Sequence, residues 1–377
     1  MPAIVPDEDI GLAFDMHGCP NRCRHCYIGI PAAATGRMTE DDVRWTVAQF
    51  RAFRRPGEDA PLWPRIRVST SVREPDYGDN YRRLYELENE LSDLPSLRPR
   101  WELLSVWRLA RDPEYAAWAH SIGVRVCQMT FFGLEKVTDW AYRRRGAFRD
   151  LLLATERLLA AGIRPRWQWF FTKRILPDLP GLIALTRELR LRERCEALGG
   201  PFTLFMHCPS PDGEAWHLEH LRPTAVDAHR VSACLREHGE EQILRPLGEP
   251  EGRIAHLLYG EHKPTSTAIG DRVLEGNHLW LDILPGFDVY SNLGELTPAW
   301  RLGNLKTDGV AAVIDTLENN STPALRAYFR VPVSELARRY GRPRGRRLYV
   351  PDDLKSRWAI MWAQDNSHVA CAALKGN

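Results

Sequence analysis

The stretch Ile10–Gly29, IGLAFDMHGCPNRCRHCYIG, decides how the rest of the chain is read. It opens on a short apolar run, and the sharp stop at Asp15 predicts a buried strand over 10–15. That strand runs straight into a loop carrying Cys19, Cys23 and Cys26. Three thiols at i, i+4 and i+7 in one loop can converge on one inorganic centre. The other cysteines, Cys127, Cys195, Cys208, Cys234 and Cys371, stand singly.

Two centres suit the loop. Structural zinc takes four protein ligands, commonly as two C-x2-C pairs. Only one such pair is present, Cys23 and Cys26, so zinc would need His17 or His25 as a further ligand. A non-catalytic zinc-binding or scaffold protein is therefore one reading. The other is a [4Fe–4S] cluster held by three thiolates, whose fourth iron stays open to a small molecule, as an open catalytic zinc site does.

Working outward, strands are predicted over 66–70, 101–107, 124–132, 166–171 and 202–207. Helices are predicted over 39–53, 79–91, 113–121, 148–161 and 179–194. Strand and helix alternate through roughly 200 residues, which implies right-handed crossovers and a parallel sheet with helices outside. Such sheets carry their chemistry at the carboxyl ends of the strands, where the cysteine loop lies. After Pro209 the alternation fails, and a boundary is placed at residue 222. Beyond it a helix is predicted over 225–238, a hairpin over 278–291 and a helix over 309–319. The Arg-rich 338–347 reads as a solvated loop before a last strand or helix.

The chain has 377 residues, with 51 Lys and Arg against 49 Asp and Glu and a formal charge of +2. This balance lacks the basic stripe or tail of a dedicated nucleic-acid binder. With 27% charged and 44% hydrophobic residues, the composition is that of a folded globular protein. No window reaches the roughly 18 apolar residues of a membrane span. Residues 1–11, MPAIVPDEDIG, have neither the basic nor the apolar region of a signal peptide. A cytoplasmic protein is expected, without nucleic-acid or membrane partners, whose cysteines are thiols, metal ligands or catalysts rather than disulfides. The cations are 45 Arg against 6 Lys.

C-x3-C-x2-C after the first strand of a parallel α/β array resembles the radical S-adenosylmethionine (radical SAM) superfamily. The resemblance covers about the first 220 residues. It implies a partial (β/α)6 TIM-like barrel over 1–222 and a smaller α+β domain over 223–377. Cys19, Cys23 and Cys26 would bind three irons of a [4Fe–4S] cluster, and the amine and carboxylate of SAM would chelate the fourth. One electron, from a donor such as flavodoxin or ferredoxin, would cleave SAM to methionine and a 5′-deoxyadenosyl radical that abstracts a substrate hydrogen.

The resemblance also assigns single positions. The family's segment facing the methionine amine corresponds to Ser69–Pro75, STSVREP. Its glycines are replaced here, so Glu74, with Ser69 and Ser71, is the candidate for the amine; alternatively Glu74 pairs with Arg73 or caps a helix. Of Arg143, Arg144 and Arg145, the last is favoured for the methionine carboxylate, since guanidinium suits a carboxylate through paired donors; plain surface charge is the alternative. Gln128, Thr130 and Gln168 stand where ribose contacts are made, and Tyr27 flanks the adenine region. Each could equally be a satisfied core or packing group.

Residues 274–310, LEGNHLWLDILPGFDVYSNLGELTPAWRLGNLKTDGV, are similar to the SPASM/twitch region of the same superfamily. Cysteines that region normally uses for auxiliary clusters appear as Val273 and Asn292, so a degenerate domain without such clusters is expected. That favours redox-neutral outcomes, namely epimerisation, rearrangement or elimination, beside peptide modification. Epimerisation would need a hydrogen donor, for which Cys208 and Tyr290 are the candidates; Cys208 could instead be a small buried hydrophobe. The substrate is read as a small molecule or a peptide in natural-product biosynthesis. Only about nine residues precede the first strand, which tilts the expectation toward a small molecule or a leaderless peptide.

Overall fold

The computed structural model describes residues 9–29, 37–100, 102–240, 243, 247–265, 279–291 and 295–373. The first half alternates as expected. β1 (Asp9–Phe14) leads through the cysteine loop to α1 (Glu40–Ala52), then β2 (Arg65–Ser69) and α2 (Tyr81–Leu91). α1 begins where Thr39 and Asp42 form a reciprocal capping box, with Glu40, Asp41 and Asp42 in the first turn. Both features satisfy or complement the exposed amides of a helix start.

Of the predicted strand over 101–107, the described residues 102–107 form no strand. Its described part is extended at 102–105, and the amide of Gln128 donates to the Glu102 carbonyl at 2.5 Å. Ser105 then turns the chain into α3 (Val106–Leu109), accepting from the Arg108 amide at 3.1 Å. A serine that caps a helix competes with a ladder for the same backbone, and here the cap wins. α4 (Tyr115–Ser121), β3 (Val126–Phe131), α5 (Glu135–Tyr142), α6 (Ala147–Ala160) and β4 (Arg164–Phe170) follow. The helix expected over 179–194 is two, α7 (Leu179–Glu188) and α8 (Leu191–Ala197), because Arg190 adopts a left-handed conformation with φ 50°. β5 (Thr203–His207) ends this part.

β1 pairs parallel with β2, and β3, β4 and β5 pair parallel in that order. The fold is α/β with parallel strands, as expected, and among the described residues these strands lie in the sheets β2-β1-β7-β8-β9 and β3-β4-β5. Residues 102–105 are bonded to Gln128 of β3 at one end and to Glu74, beyond β2, at the other.

Two-residue alternation gives β3–β5 two unlike faces. Cys127, Met129, Phe131, Trp167 and Trp169 are fully buried against the helices. The opposite face carries Gln128 and Thr130, which register with Arg166 and Gln168, which in turn register with Thr203 and Phe205. That polar face is the inner one.

The second half is α9 (Ala225–Glu237), β6 (Glu249–Pro250), α10 (Glu251–Leu258), β7 (Leu279–Ile283), β8 (Asp288–Ser291), β9 (Arg301–Asn304), α11 (Gly309–Glu318), α12 (Pro323–Phe329), α13 (Val333–Tyr340), β10 (Leu348–Tyr349) and α14 (Pro351–Ala373). The expected hairpin is β7–β8. β7 also pairs parallel with β1, extending one sheet to the order β2-β1-β7-β8-β9. A bare glycine permits this join: a Cβ on Gly11 would stand 2.2 Å from the ring of Trp280, its partner in register. Val273 and Asn292 lie outside the described residues. No helix among the described residues is long and apolar enough to cross a membrane.

A buried charge network underlies the turn after β2. Arg98, 5% exposed, donates to both Glu88 oxygens at 2.7 and 2.9 Å, to Thr70 Oγ1 at 2.8 Å and to Asp76. Asp76 also accepts from the Tyr115 hydroxyl at 2.6 Å. Removing one partner of such a network leaves buried charge uncompensated. Arg98→Ala is expected to destabilise the fold by roughly 3–5 kcal/mol, read as a shift of the urea unfolding midpoint; a loss below about 1 kcal/mol would show that Glu88 and Asp76 do not depend on Arg98.

Candidate iron–sulfur and cofactor site

The cysteine loop leaves the end of β1 and is tied on every side by atoms outside its thiols. Asp15 accepts from the Gly18 amide at 3.0 Å and pairs with Arg73. The Asp15 amide donates to the Ile283 carbonyl at 3.0 Å. Within the loop, the Arg24 amide donates to the Ala141 carbonyl at 2.8 Å and its Nε to the Trp140 carbonyl at 3.1 Å. At the far end, the Cys26 carbonyl accepts from the Glu214 amide at 2.8 Å, and the Ile28 carbonyl accepts from the Leu296 amide at 2.9 Å. Gly213, at φ 57°, makes this approach possible, since a Cβ there would stand 2.3 Å from the Cys26 carbonyl oxygen. The Gly213 amide in turn donates to Glu295 at 2.7 Å.

This held loop brings Cys19, Cys23 and Cys26 together, each half-buried. Burial, then Glu74 and Cys26, pushes the Cys19 thiol up to about 12. Burial and then the two neighbouring thiols push Cys23 well above the usual range. Three thiols that disfavour each other's ionisation are a set whose ionised form needs a positive centre, and coordination deprotonates a thiol outright. The Asn21 amide also lies 3.4 Å from Cys19 Sγ, a backbone donor to a ligand sulfur of the kind that tunes iron–sulfur centres. The donors present thus suit such a cluster. Among the described residues, no three His, Cys, Asp or Glu side chains gather around one point as a single-ion site requires; a cubane takes one thiolate per iron. His17 bonds Asn80 at 2.8 Å. His25 packs between Phe132 and Phe170, with centroids at 4.6 and 4.9 Å, and burial lowers its ring to about 3.

Glu74 reaches this loop. It does not pair with Arg73, which is held by Asp15; its Oε1 accepts from Ser105 Oγ at 2.8 Å. Burial pushes its carboxyl up to about 7. Its charge is felt at both Cys19 and Cys23. Ser69 Oγ donates to the Ser71 carbonyl at 3.1 Å, closing the turn that carries Glu74 forward.

Of the three arginines, Arg144 faces the loop. Its Nε donates to Asn21 at 2.7 Å, it pairs with Asp150, and its charge is felt at Cys23 and Glu74. Arg145 is exposed. Arg143, at φ 51°, pairs with Glu214 at 3.1 Å. The left-handed step at Arg143 rotates the following residues, which is why the inward position falls one residue before Arg145.

The inner face of β3 and β4 is a joined polar row. Gln128 Nε2 and Thr130 Oγ1 donate to Gln168 Oε1 at 3.0 and 3.1 Å. Arg166 donates to Gln128, pairs with Glu102 and lies over the Phe205 ring at 5.1 Å. Tyr27 is half-exposed beside Cys26; burial of its hydroxyl, then Asp282, pushes it up to about 12. Cys208 is buried with its thiol on the Leu247 carbonyl at 3.7 Å, and burial pushes it up to about 11. Tyr290 registers with Asp282 across β7–β8.

Sequence reasoning missed Ser105, Asn21, Glu295 and Asp282. The last is 5% exposed on β7, where burial and then Asp15 push its carboxyl up to about 7. A lone Asp inside the apolar run HLWLDIL was the available signal.

No family model matches the chain, and no curated protein matches it. The fold is similar to that of native anSMEcpe with bound AdoMet, with a TM-score of 0.49 and 11% identity over 97% of this chain and 100% of that one. It is also similar to native anSMEcpe with bound AdoMet and Kp18Cys peptide, with a TM-score of 0.47 and 12% identity over 95% and 98%. At these identities the roles of Glu74, Arg144 and Asp282 rest on their own surroundings in this chain.

Asp282 gives the metal-free protein a pH signature. Its carboxyl prefers the neutral form when folded, so its contribution to stability is present in acid and is lost as pH rises from about 4 to about 7, beside a like contribution from Glu74. Asp282→Asn is expected to flatten that fall in thermal melts across this range; an unchanged slope would place the effect elsewhere.

Proposed function

We propose that this chain is a radical SAM enzyme acting on a small molecule or a peptide. The observation that carries the reading is the convergence of the three thiols with Glu74 and Arg144 at the end of β1. Cys19, Cys23 and Cys26 would hold a [4Fe–4S] cluster. A cluster held there would supply the single electron needed to cleave SAM into methionine and a 5′-deoxyadenosyl radical able to take a hydrogen from the substrate.

The protein's own groups bind and orient. Glu74 faces the thiols with a carboxyl that ionises readily once an ammonium stands beside it. Hydrogen bonds from Ser105 and the Trp107 backbone hold that carboxyl in place, where its remaining acceptor capacity would meet SAM's amine. Arg144, anchored through Asn21 and Asp150, offers remaining guanidinium donors to SAM's carboxylate, the role expected of Arg145. Gln128, Thr130 and Gln168 line the inner face for ribose or substrate hydroxyls. Asp282 and Tyr290 stand on the other side of the loop as polar groups for the substrate.

anSMEcpe has been solved with AdoMet and either the Kp18Cys or the Cp18Cys peptide. A peptide is accordingly one substrate class here, and a polar small molecule that reaches Arg166 and Gln168 is the other.

Anaerobic reconstitution is expected to give a brown protein that forms 5′-deoxyadenosine from SAM under dithionite, and Cys23→Ala is expected to abolish both. A colourless protein holding one zinc would defeat the reading. Arg144→Ala is expected to weaken SAM binding about tenfold or more, the loss of a charge-assisted pair, while Arg145→Ala leaves it unchanged. The reverse order in a binding titration would restore Arg145 to the role.

A further inference from the structure

Four arginines among the described residues are buried: Arg98, Arg108, Arg222 and Arg357. The first three have partners that account for the charge. Arg98 has Glu88 and Asp76. Arg108 has Asp79 at 2.8 Å and the carbonyls of Asp76 and Tyr77. Arg222 donates to the Leu348 and Pro209 carbonyls at 3.1 and 2.6 Å. Arg357, 5% exposed on α14, makes no ion pair and no side-chain hydrogen bond among the described residues, and its Nε is buried without an acceptor. A guanidinium taken out of water without a partner costs stability.

The surroundings of Arg357 define what would fill the gap. Its guanidinium lies on the Trp216 ring, 3.6 Å from the centre. Trp216 belongs to the helical turn Gly213–Leu221, which holds the far end of the cysteine loop through the bond from the Glu214 amide to the Cys26 carbonyl. Three carboxylates act on Arg357 from a distance, Glu295 most, then Asp212 and Glu219. Each is engaged elsewhere. Glu295 takes the Gly213 amide at 2.7 Å, Asp212 the Ser210 hydroxyl at 2.9 Å, and Glu219 takes Arg342 and Arg347 at 2.6 and 2.7 Å. Their attraction falls short of the burial cost, so the guanidinium is held below its usual range.

We propose that Arg357 is a specificity residue of the substrate site, holding a singly charged carboxylate of the substrate beside Trp216. The proposal rests on the radical SAM reading for what is done to that substrate, and it narrows the substrate to a carboxylic acid. A planar guanidinium offers paired N–H donors to the two oxygens of a carboxylate. The indole beneath fixes its plane, so the donors are set before the ligand arrives and little freedom is lost on binding. A phosphate fits the same donors, but Glu295, Asp212 and Glu219 repel its second charge; a carboxylate carries only one. The carboxylate belongs to a free small acid or to a peptide, which present the same two oxygens.

The test titrates N-acetylglycine and tetra-alanine into cluster-loaded protein with SAM present, each beside its C-terminal amide, with inorganic phosphate as the dianion. An acid is expected to bind more tightly than its own amide. Preference for N-acetylglycine marks a free acid as the source, and preference for tetra-alanine marks a peptide. Arg357→Met keeps the bulk and removes the charge. It is expected to weaken acid binding about tenfold or more and to leave amide binding as it was. Its melting temperature is expected to hold or rise, because an unpartnered buried charge is removed, whereas a purely structural arginine predicts a fall. Arg357→Lys keeps the charge without the paired donors; it is expected to lose part of the acid binding and serves alone if Arg357→Met does not fold. Equal binding of acid and amide, phosphate binding tighter than either acid, or acid binding that survives in both variants would overturn the assignment while the cluster reading stands. A protein that never turns brown defeats the cluster reading, and the substrate role of Arg357 falls with it.

Discussion

β1 is hydrogen-bonded along both edges, by β2 on one side and β7 on the other, and all six of its residues are buried. Its carboxyl end is therefore the most constrained point from which a loop could start. Asp15 marks the exit, held by the Gly18 amide and Arg73 while its own amide is held by Ile283. The cysteine loop inherits that rigidity. It then bridges the two apolar cores, with Cys23 packed on the one around β3–β5 and Ile28 on the one around β1 and β7. A loop pinned this way fixes the thiols before any metal binds, which lowers the ordering cost of binding.

The same strand explains why the two halves of the chain form one structure. Gly11 lets Trp280 lie flat against β1, so β7 joins the sheet instead of forming a separate one. Glu295 and Leu296, from beyond β8, then reach the far end of the cysteine loop. Residues of both halves thus surround the thiols, and Asp282 arrives at the site through the register Ala13↔Asp282.

Much of this was legible in the sequence. The cysteine spacing singled out the loop that leaves β1, and the alternation of apolar runs with helical stretches located β1–β5 and most helices. What was not legible depended on choices between near-equal local options. Residues 102–105 have the composition of a strand, but Ser105 bonds Glu74 and caps α3, and those two bonds replace a ladder. Which of three consecutive arginines faces inward was set by the left-handed backbone of Arg143, which no propensity indicates. The break between α7 and α8 has the same cause at Arg190. Asp282 was hidden because an acid in an apolar strand reads as strand until its neighbours are known.

The electrostatics of the loop divide by side. Inward, Glu74 and Asp282 are carboxyls held up near 7 by burial, so each gains most from a cation brought beside it. Outward, Arg24 and Arg174 crowd one indole and gain most from an anion. A single loop of about fifteen residues thus separates buried carboxyls from arginines gathered on one indole. Glu74 and Arg144 share the buried side with the thiols, each acting on Cys23. The thiols sit between the two, within one loop of each.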